Sequence, residues 1–127
     1  MPLLDVFDTR VFRSDDAGAT FDQVSADLPE NLVALTVDIA PTDPLRVYIT
    51  GLFALGEGIY EGVFGRSDDG GATFALQTMD GSANDSAPYL AAVDPFDPDV
   101  LYVRLAGSAG TLLRSNDAGA TFETIFE

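Results

Sequence analysis

Along the chain, apolar and polar residues alternate in short runs of roughly five to eight residues, and clusters of Gly, Pro, Asp or Asn separate the runs. No segment keeps the 3.6-residue apolar period of a helix. The pattern predicts strands at about 8-13 and 20-25, then 33-39, 46-51, 59-66 and 73-78, then 88-93, 100-105, 110-115 and 120-126. The expected fold class is therefore all-β.

The runs belong to a repeat. Arg13-Ser14-Asp15-Asp16-Ala17-Gly18-Ala19-Thr20-Phe21 returns as Arg66-Ser67-Asp68-Asp69-Gly70-Gly71-Ala72-Thr73-Phe74 and again as Arg114-Ser115-Asn116-Asp117-Ala118-Gly119-Ala120-Thr121-Phe122, so the shared core is R-S-x-D-x-G-A-T-F. Phe21, Phe74 and Phe122 lie 53 and 48 residues apart, a spacing of the size of a propeller blade. A second block precedes the later two copies: Pro41-Thr42-Asp43-Pro44 leads into Val47-Tyr48-Ile49, and Pro95-Phe96-Asp97-Pro98 into Leu101-Tyr102-Val103, all at an offset of 54. The mismatch between 54 and 48 places six extra residues within Ile49 to Gly65. The repeats predict β-propeller blades of four antiparallel strands, about two and a half of them: a half blade over 1-31 and full blades over 32-82 and 83-127.

Each nonamer has the chemistry of a turn. Asp16, Asp69 and Asp117 can accept backbone N–H bonds, Gly18, Gly71 and Gly119 can take positive φ, Thr20, Thr73 and Thr121 open the next strand with β-branched stiffness, and Phe21, Phe74 and Phe122 anchor the hairpin in the core. Two readings of the carboxylates compete, a metal or catalytic role and a role in closing their own turn. The structural one is adopted.

At these residues the chain resembles the Asp-box, or bacterial neuraminidase, repeat S-x-D-x-G-x-T-W, with Phe in place of the usual Trp. The resemblance covers essentially the whole chain and implies that the box, with Ser14, Ser67 and Ser115 at its start, sits between the third and fourth strands of a propeller blade. Families sharing the box include sialidases, xyloglucan-type endoglucanases, sortilin-type receptors and photosystem-assembly propellers, so it marks a fold rather than a function. The Pro-x-Asp-Pro block is most similar to the last three. None of the six arginines stands in the Arg-Ile-Pro context usual in sialidases. The resemblance implies a non-catalytic scaffold or binding surface for protein or glycan, with a fragment of a xyloglucanase-like or sialidase-like glycoside hydrolase as the alternative.

Charge narrows the partners. Six arginines and no lysine stand against 21 acids, a net charge of -15, which argues against nucleic acid and against an anionic membrane surface. Without Cys or His there is no thiolate nucleophile, no zinc site of the usual kind and no Ser-His arrangement. No cofactor is expected, no catalytic residue and no metal ligand is assigned, and no run has the length of a membrane-spanning helix. Related propellers are often exported, so an extracytoplasmic site is the expectation from resemblance.

Glycoside hydrolysis needs two carboxylates about 5 to 10 Å apart, one of them with a raised pKa. Glu57 and Glu61 around Tyr60 are the candidates for a ligand-binding loop, because they fall in the insertion; a long hairpin with a solvated tip is the plain alternative. Asp80 to Ser86 is read as an ordinary polar linker between blades, with calcium on its oxygen ligands as the alternative, since it lacks the full spacing of an EF-hand loop. Tyr48 and Tyr102, at matched strand positions, are read as core, and Tyr60 and Tyr89 as core by default with stacking on a sugar ring as the alternative. Two and a half blades leave sheet edges open, so either further blades of a longer chain or self-association is expected to complete the ring.

Overall fold

The structure, a computed structural model, describes residues 8–83, 87–107 and 110–126. Among these residues the chain is all-β, with ten strands in three antiparallel sheets and no helix. The first repeat contributes β1 (Phe12–Arg13) and β2 (Asp22–Gln23), a short two-stranded sheet. The second contributes β3 (Leu32–Ala40), β4 (Asp43–Gly56), β5 (Ile59–Ser67) and β6 (Ala75–Ala83), paired in chain order. The third repeats that meander with β7 (Pro88–Val93), β8 (Leu101–Leu105), β9 (Thr111–Ser115) and β10 (Glu123–Phe126).

Register confirms that the two meanders are copies. Tyr48 lies opposite Arg66 on β4 and β5, and Tyr102 lies opposite Arg114 on β8 and β9. The six extra residues of the second repeat do not form an open loop. They lengthen the β4–β5 hairpin, whose pairing continues to Gly56 opposite Ile59, whereas the β8–β9 pairing stops at Leu105 opposite Thr111. Continued pairing satisfies N–H and C=O groups along the hairpin within the chain. The two-residue connection Glu57–Gly58 has φ of 56° and 74°, the two positive values that a type I′ turn requires. Asp80 to Ala83, expected as linker, continues β6; Asn84 to Ser86 lie outside the described residues.

Alternation along β4 and β5 buries both faces of the second sheet. One face meets the third repeat: Tyr48, Phe64 and Met79 form a cluster with Leu101, Val103, Leu105, Leu113 and Ala118. The other face, with Leu32, Ile49 and Val63, packs with Leu28, Phe53, Phe74 and Leu76. Thr9 ties the first repeat to β3 by donating its hydroxyl to the Leu32 carbonyl at 2.7 Å. At the centre of the larger cluster the Phe64 ring meets Tyr48 at 5.6 Å and Phe122 edge-on at 5.2 Å between centroids. Of the four tyrosines only Tyr48 is buried; Tyr60, Tyr89 and Tyr102 are half-buried.

Phe64 also lies close against Gly119. A Cβ at Gly119 would sit 2.0 Å from Phe64 Cε2, and the residue has φ of 89°. Gly119→Ala is therefore expected to cost at least about 2 kcal/mol, from overpacking plus the left-handed backbone. Gly58→Ala, also at positive φ but with nothing within 4 Å of the new Cβ, should cost only about 1 kcal/mol. Urea unfolding of the two variants measures the difference; equal losses would mean that Phe64 does not press on Gly119.

Candidate functional site

The three nonamers fold into one hydrogen-bonded device. In the second copy the Ser67 hydroxyl donates to Asp69 Oδ1 at 2.7 Å and accepts from the amides of Asp69 at 3.3 Å and Gly71 at 2.9 Å. The same carboxylate takes the Thr73 amide on Oδ1 at 2.9 Å and the Thr73 hydroxyl on Oδ2 at 2.5 Å. Ser14, Asp16, Gly18 and Thr20 repeat every one of these bonds, as do Ser115, Asp117, Gly119 and Thr121. Both oxygens of each carboxylate are thus occupied by groups of its own turn.

Those bonds favour the ionised form. All three carboxyls are held at about 2, below the ordinary 3.8, with bonds from Thr20 leading at Asp16, from Ser67 at Asp69 and from Thr121 at Asp117. A general acid needs the opposite shift.

Local geometry departs from the sequence expectation in three respects. The glycines take positive φ, at 90°, 98° and 89°, but so do the residues before them, Ala17 at 59°, Gly70 at 76° and Ala118 at 60°. The threonines do not open the next strand: β2, β6 and β10 begin two residues later, because the Thr amide and hydroxyl are spent on the carboxylate. The aromatic anchor holds only where a neighbouring repeat covers it. Phe122 packs on the larger cluster and Phe74 on the smaller, whereas Phe21 is 61% exposed.

A second polar centre joins the repeats. Arg46, on β4, donates from Nε to Asp68 at 2.7 Å and from Nη1 to Asp99 of the third repeat at 2.7 Å. Tyr48 donates its hydroxyl to the Pro98 carbonyl at 2.6 Å, so the tyrosine of one repeat grips the Pro-x-Asp-Pro block of the next. Burial works against the Arg46 charge, yet Asp99, Tyr48 and Asp68 outweigh it and raise the guanidinium above its ordinary value. Burial also raises the Tyr48 hydroxyl, with Arg46 opposing. Sequence reasoning missed Arg46 because the equivalent position of the third repeat is Val100. The Tyr48 contact had a visible signal in the shared offset of tyrosine and Pro-x-Asp-Pro block.

Glu57 stands exposed at the apex of the β4–β5 hairpin. Tyr60 lies opposite Ala54, and Glu61 lies between Phe53 and Ala83. Adjacent residues of one strand face opposite sides of the sheet, so the hairpin turns Tyr60 and Glu61 away from each other. Among the described residues no group of three or more Asp or Glu side chains is placed to hold a metal ion. No protein-family model matches the chain, and no curated protein matches it as a relative.

Two outcomes follow from the turn. The unfolded chain takes up protons at Asp16, Asp69 and Asp117 near 3.8 and the folded chain only near 2, so their contribution is complete above pH 4 and disappears as pH falls towards 2. The thermal midpoint should drop across that window, and the triple variant Asp16→Asn, Asp69→Asn, Asp117→Asn should show a flatter acid limb; an unchanged limb would contradict the bonding. Ser67 is 1% exposed, so Ser67→Ala should strand the buried Gly71 amide and cost about 1 to 3 kcal/mol. Ser14→Ala removes the same bonds where water replaces them and should cost clearly less, as chemical denaturation would read.

Proposed function

We propose that the chain is a β-propeller module of the Asp-box type, working as a non-catalytic scaffold or binding surface for protein or glycan. The observation that carries this reading is the closure of all three repeated carboxylates by their own Ser and Thr side chains, with both oxygens engaged in each. A residue so used is neither free to move a proton nor free to meet a cation. Its work is to shape the turn.

Architecture supports the blade reading. Two four-stranded meanders stack with their sheets face to face, and each nonamer connects β1 to β2, β5 to β6 or β9 to β10, the last pair of strands in its repeat. Each repeat of this kind buries its faces against neighbours rather than within itself. Such a stack presents hairpin tips and inter-sheet grooves as recognition surfaces. One groove of about 520 Å³ runs between β6 and the third turn, with Met79, Leu113 and Phe122 as apolar floor and Gln77 and Thr121 at the polar rim.

Retention of the purified chain on immobilised β-glucan and on sialylated glycan, followed together with release of reducing sugar, separates the two readings. A binding module is retained or delayed without turnover, and Tyr60→Ala weakens retention if the hairpin takes part. Sugar release abolished by Glu57→Gln or Glu61→Gln would replace the module with a glycoside hydrolase.

A further inference from the structure

The contact between neighbouring repeats has a direction. A residue two places ahead of the nonamer arginine in one repeat meets the nonamer glycine of the next: Phe64 fills the space over Gly119, and Val11 stands in ordinary contact range of Gly71 beside the nearer Val24. In the third repeat the residue at that place is Leu112. It alternates with the buried Leu113 and so points to the opposite, outer face of its sheet. At the other end of the molecule Gly18 has nothing within 4 Å of where a Cβ would stand. One apolar knob and one glycine seat are thus left unmatched among the described residues.

The surroundings of both are unmatched in the same sense. Ser67 and Ser115 are each 1% exposed beneath their neighbours, while Ala17, Gly18 and Phe21 of the first turn are open to solvent. Around Leu112 the cross-strand register gathers Tyr102 beside Arg114, Arg104 beside Leu112, and Phe126, 66% exposed, on the far side of Leu112. Tyrosine, arginine and phenylalanine are the side chains enriched at the centres of protein interfaces.

Charge is complementary in part: Glu123 lies opposite Arg114 on the same outer face but is not within ion-pair distance of it. Arg104 lies over Tyr89 and Arg114 over Tyr102, but neither has a carboxylate partner among the described residues, and the buried Arg114 Nε has no hydrogen-bond partner. Arg13 and Arg66 instead meet Asp15 and Asp68; the corresponding residue for Arg114 is the neutral Asn116. The first turn is net negative: Asp15 is paired with Arg13 and Asp16 is closed by its own Ser14 and Thr20, which leaves Asp22 as the carboxylate that can meet an arginine of the next copy.

We infer that two copies of this chain associate head to tail, the first turn of one copy seating on the outer face of the β7–β10 sheet of the next, so that Leu112 meets Gly18 as Phe64 meets Gly119. The contact is heterologous and continues into a closed ring or an open filament according to the rotation per copy. The inference rests on the same repeat geometry as the propeller reading, but not on any ligand.

The chain has no cysteine, so introduced thiols report alone. Leu112→Cys and Ala17→Cys, prepared separately and mixed under mild oxidation, should give a disulfide-linked pair of twice the chain mass, while neither variant alone does. By native mass spectrometry the unaltered chain should appear as an oligomer, and Leu112→Glu as a monomer with an unchanged strand signal in circular dichroism. An unaltered chain that is monomeric at every concentration, or cross-linking as strong in one variant alone as in the mixture, overturns the inference. Gly119→Ala checks the internal junction separately: if it destabilises a chain that stays monomeric, the assembly falls and the stacked-repeat reading stands.

Discussion

The hydroxyl of Ser67, and its counterparts in the other repeats, occupies the position from which the rest of the architecture can be built. A turn normally stays at the surface because its unpaired N–H and C=O groups need water. Here the serine accepts from two amides and passes its own proton to an aspartate, which in turn takes the threonine amide and hydroxyl. The turn becomes self-sufficient in hydrogen bonds. It can then be buried under a neighbouring sheet, and two of the three copies are, with Ser67 and Ser115 almost sealed from solvent.

The glycine takes positive φ in every copy, and at the third turn burial adds a second demand for it. The Phe64 ring occupies the volume a side chain at Gly119 would fill, so the apolar surface of one sheet reaches the backbone of the next. Stacking is then fixed by two unlike sets of contacts. The apolar set, around Phe64, Tyr48 and Leu101, supplies burial. The polar set, Arg46 with Asp68 and Asp99 and Tyr48 with the Pro98 carbonyl, supplies direction. Hydrogen bonds to a fixed carbonyl have stricter geometry than apolar contact, so they hold the sheets in one relative position where the aromatic cluster alone would tolerate several.

Because each repeat reaches forward to the next, the molecule has two different ends. The proposed head-to-tail assembly would join the exposed first turn with Phe21 to the outer face with Leu112 and Phe126. The acidic surface acts against indiscriminate association, since the net charge of -15 repels copies that meet in other orientations.

Most of the strand pattern was readable from the chain. Period-two alternation and turn residues located β3, β5, β7 and β8 to within one or two residues, since these depend on local side-chain spacing. The errors arose where hydrogen bonds, not hydrophobicity, decide. β4 continued to Gly56 because Glu57 and Gly58 could adopt the two left-handed positions of a tight turn, and the fourth strands began late because threonine was held by aspartate. The sequence by itself determined the repeat, the all-β class, and the identity of the carboxylates that close the turns, because these follow from residues within a few positions of one another. Only the tertiary structure decided that Arg46 bridges two repeats, that Phe64 lies on Gly119, and that Phe21 is left exposed while Phe74 and Phe122 are covered. Those facts join residues some fifty positions apart, and the folding of the sheets against each other, not the local pattern, brings them into contact.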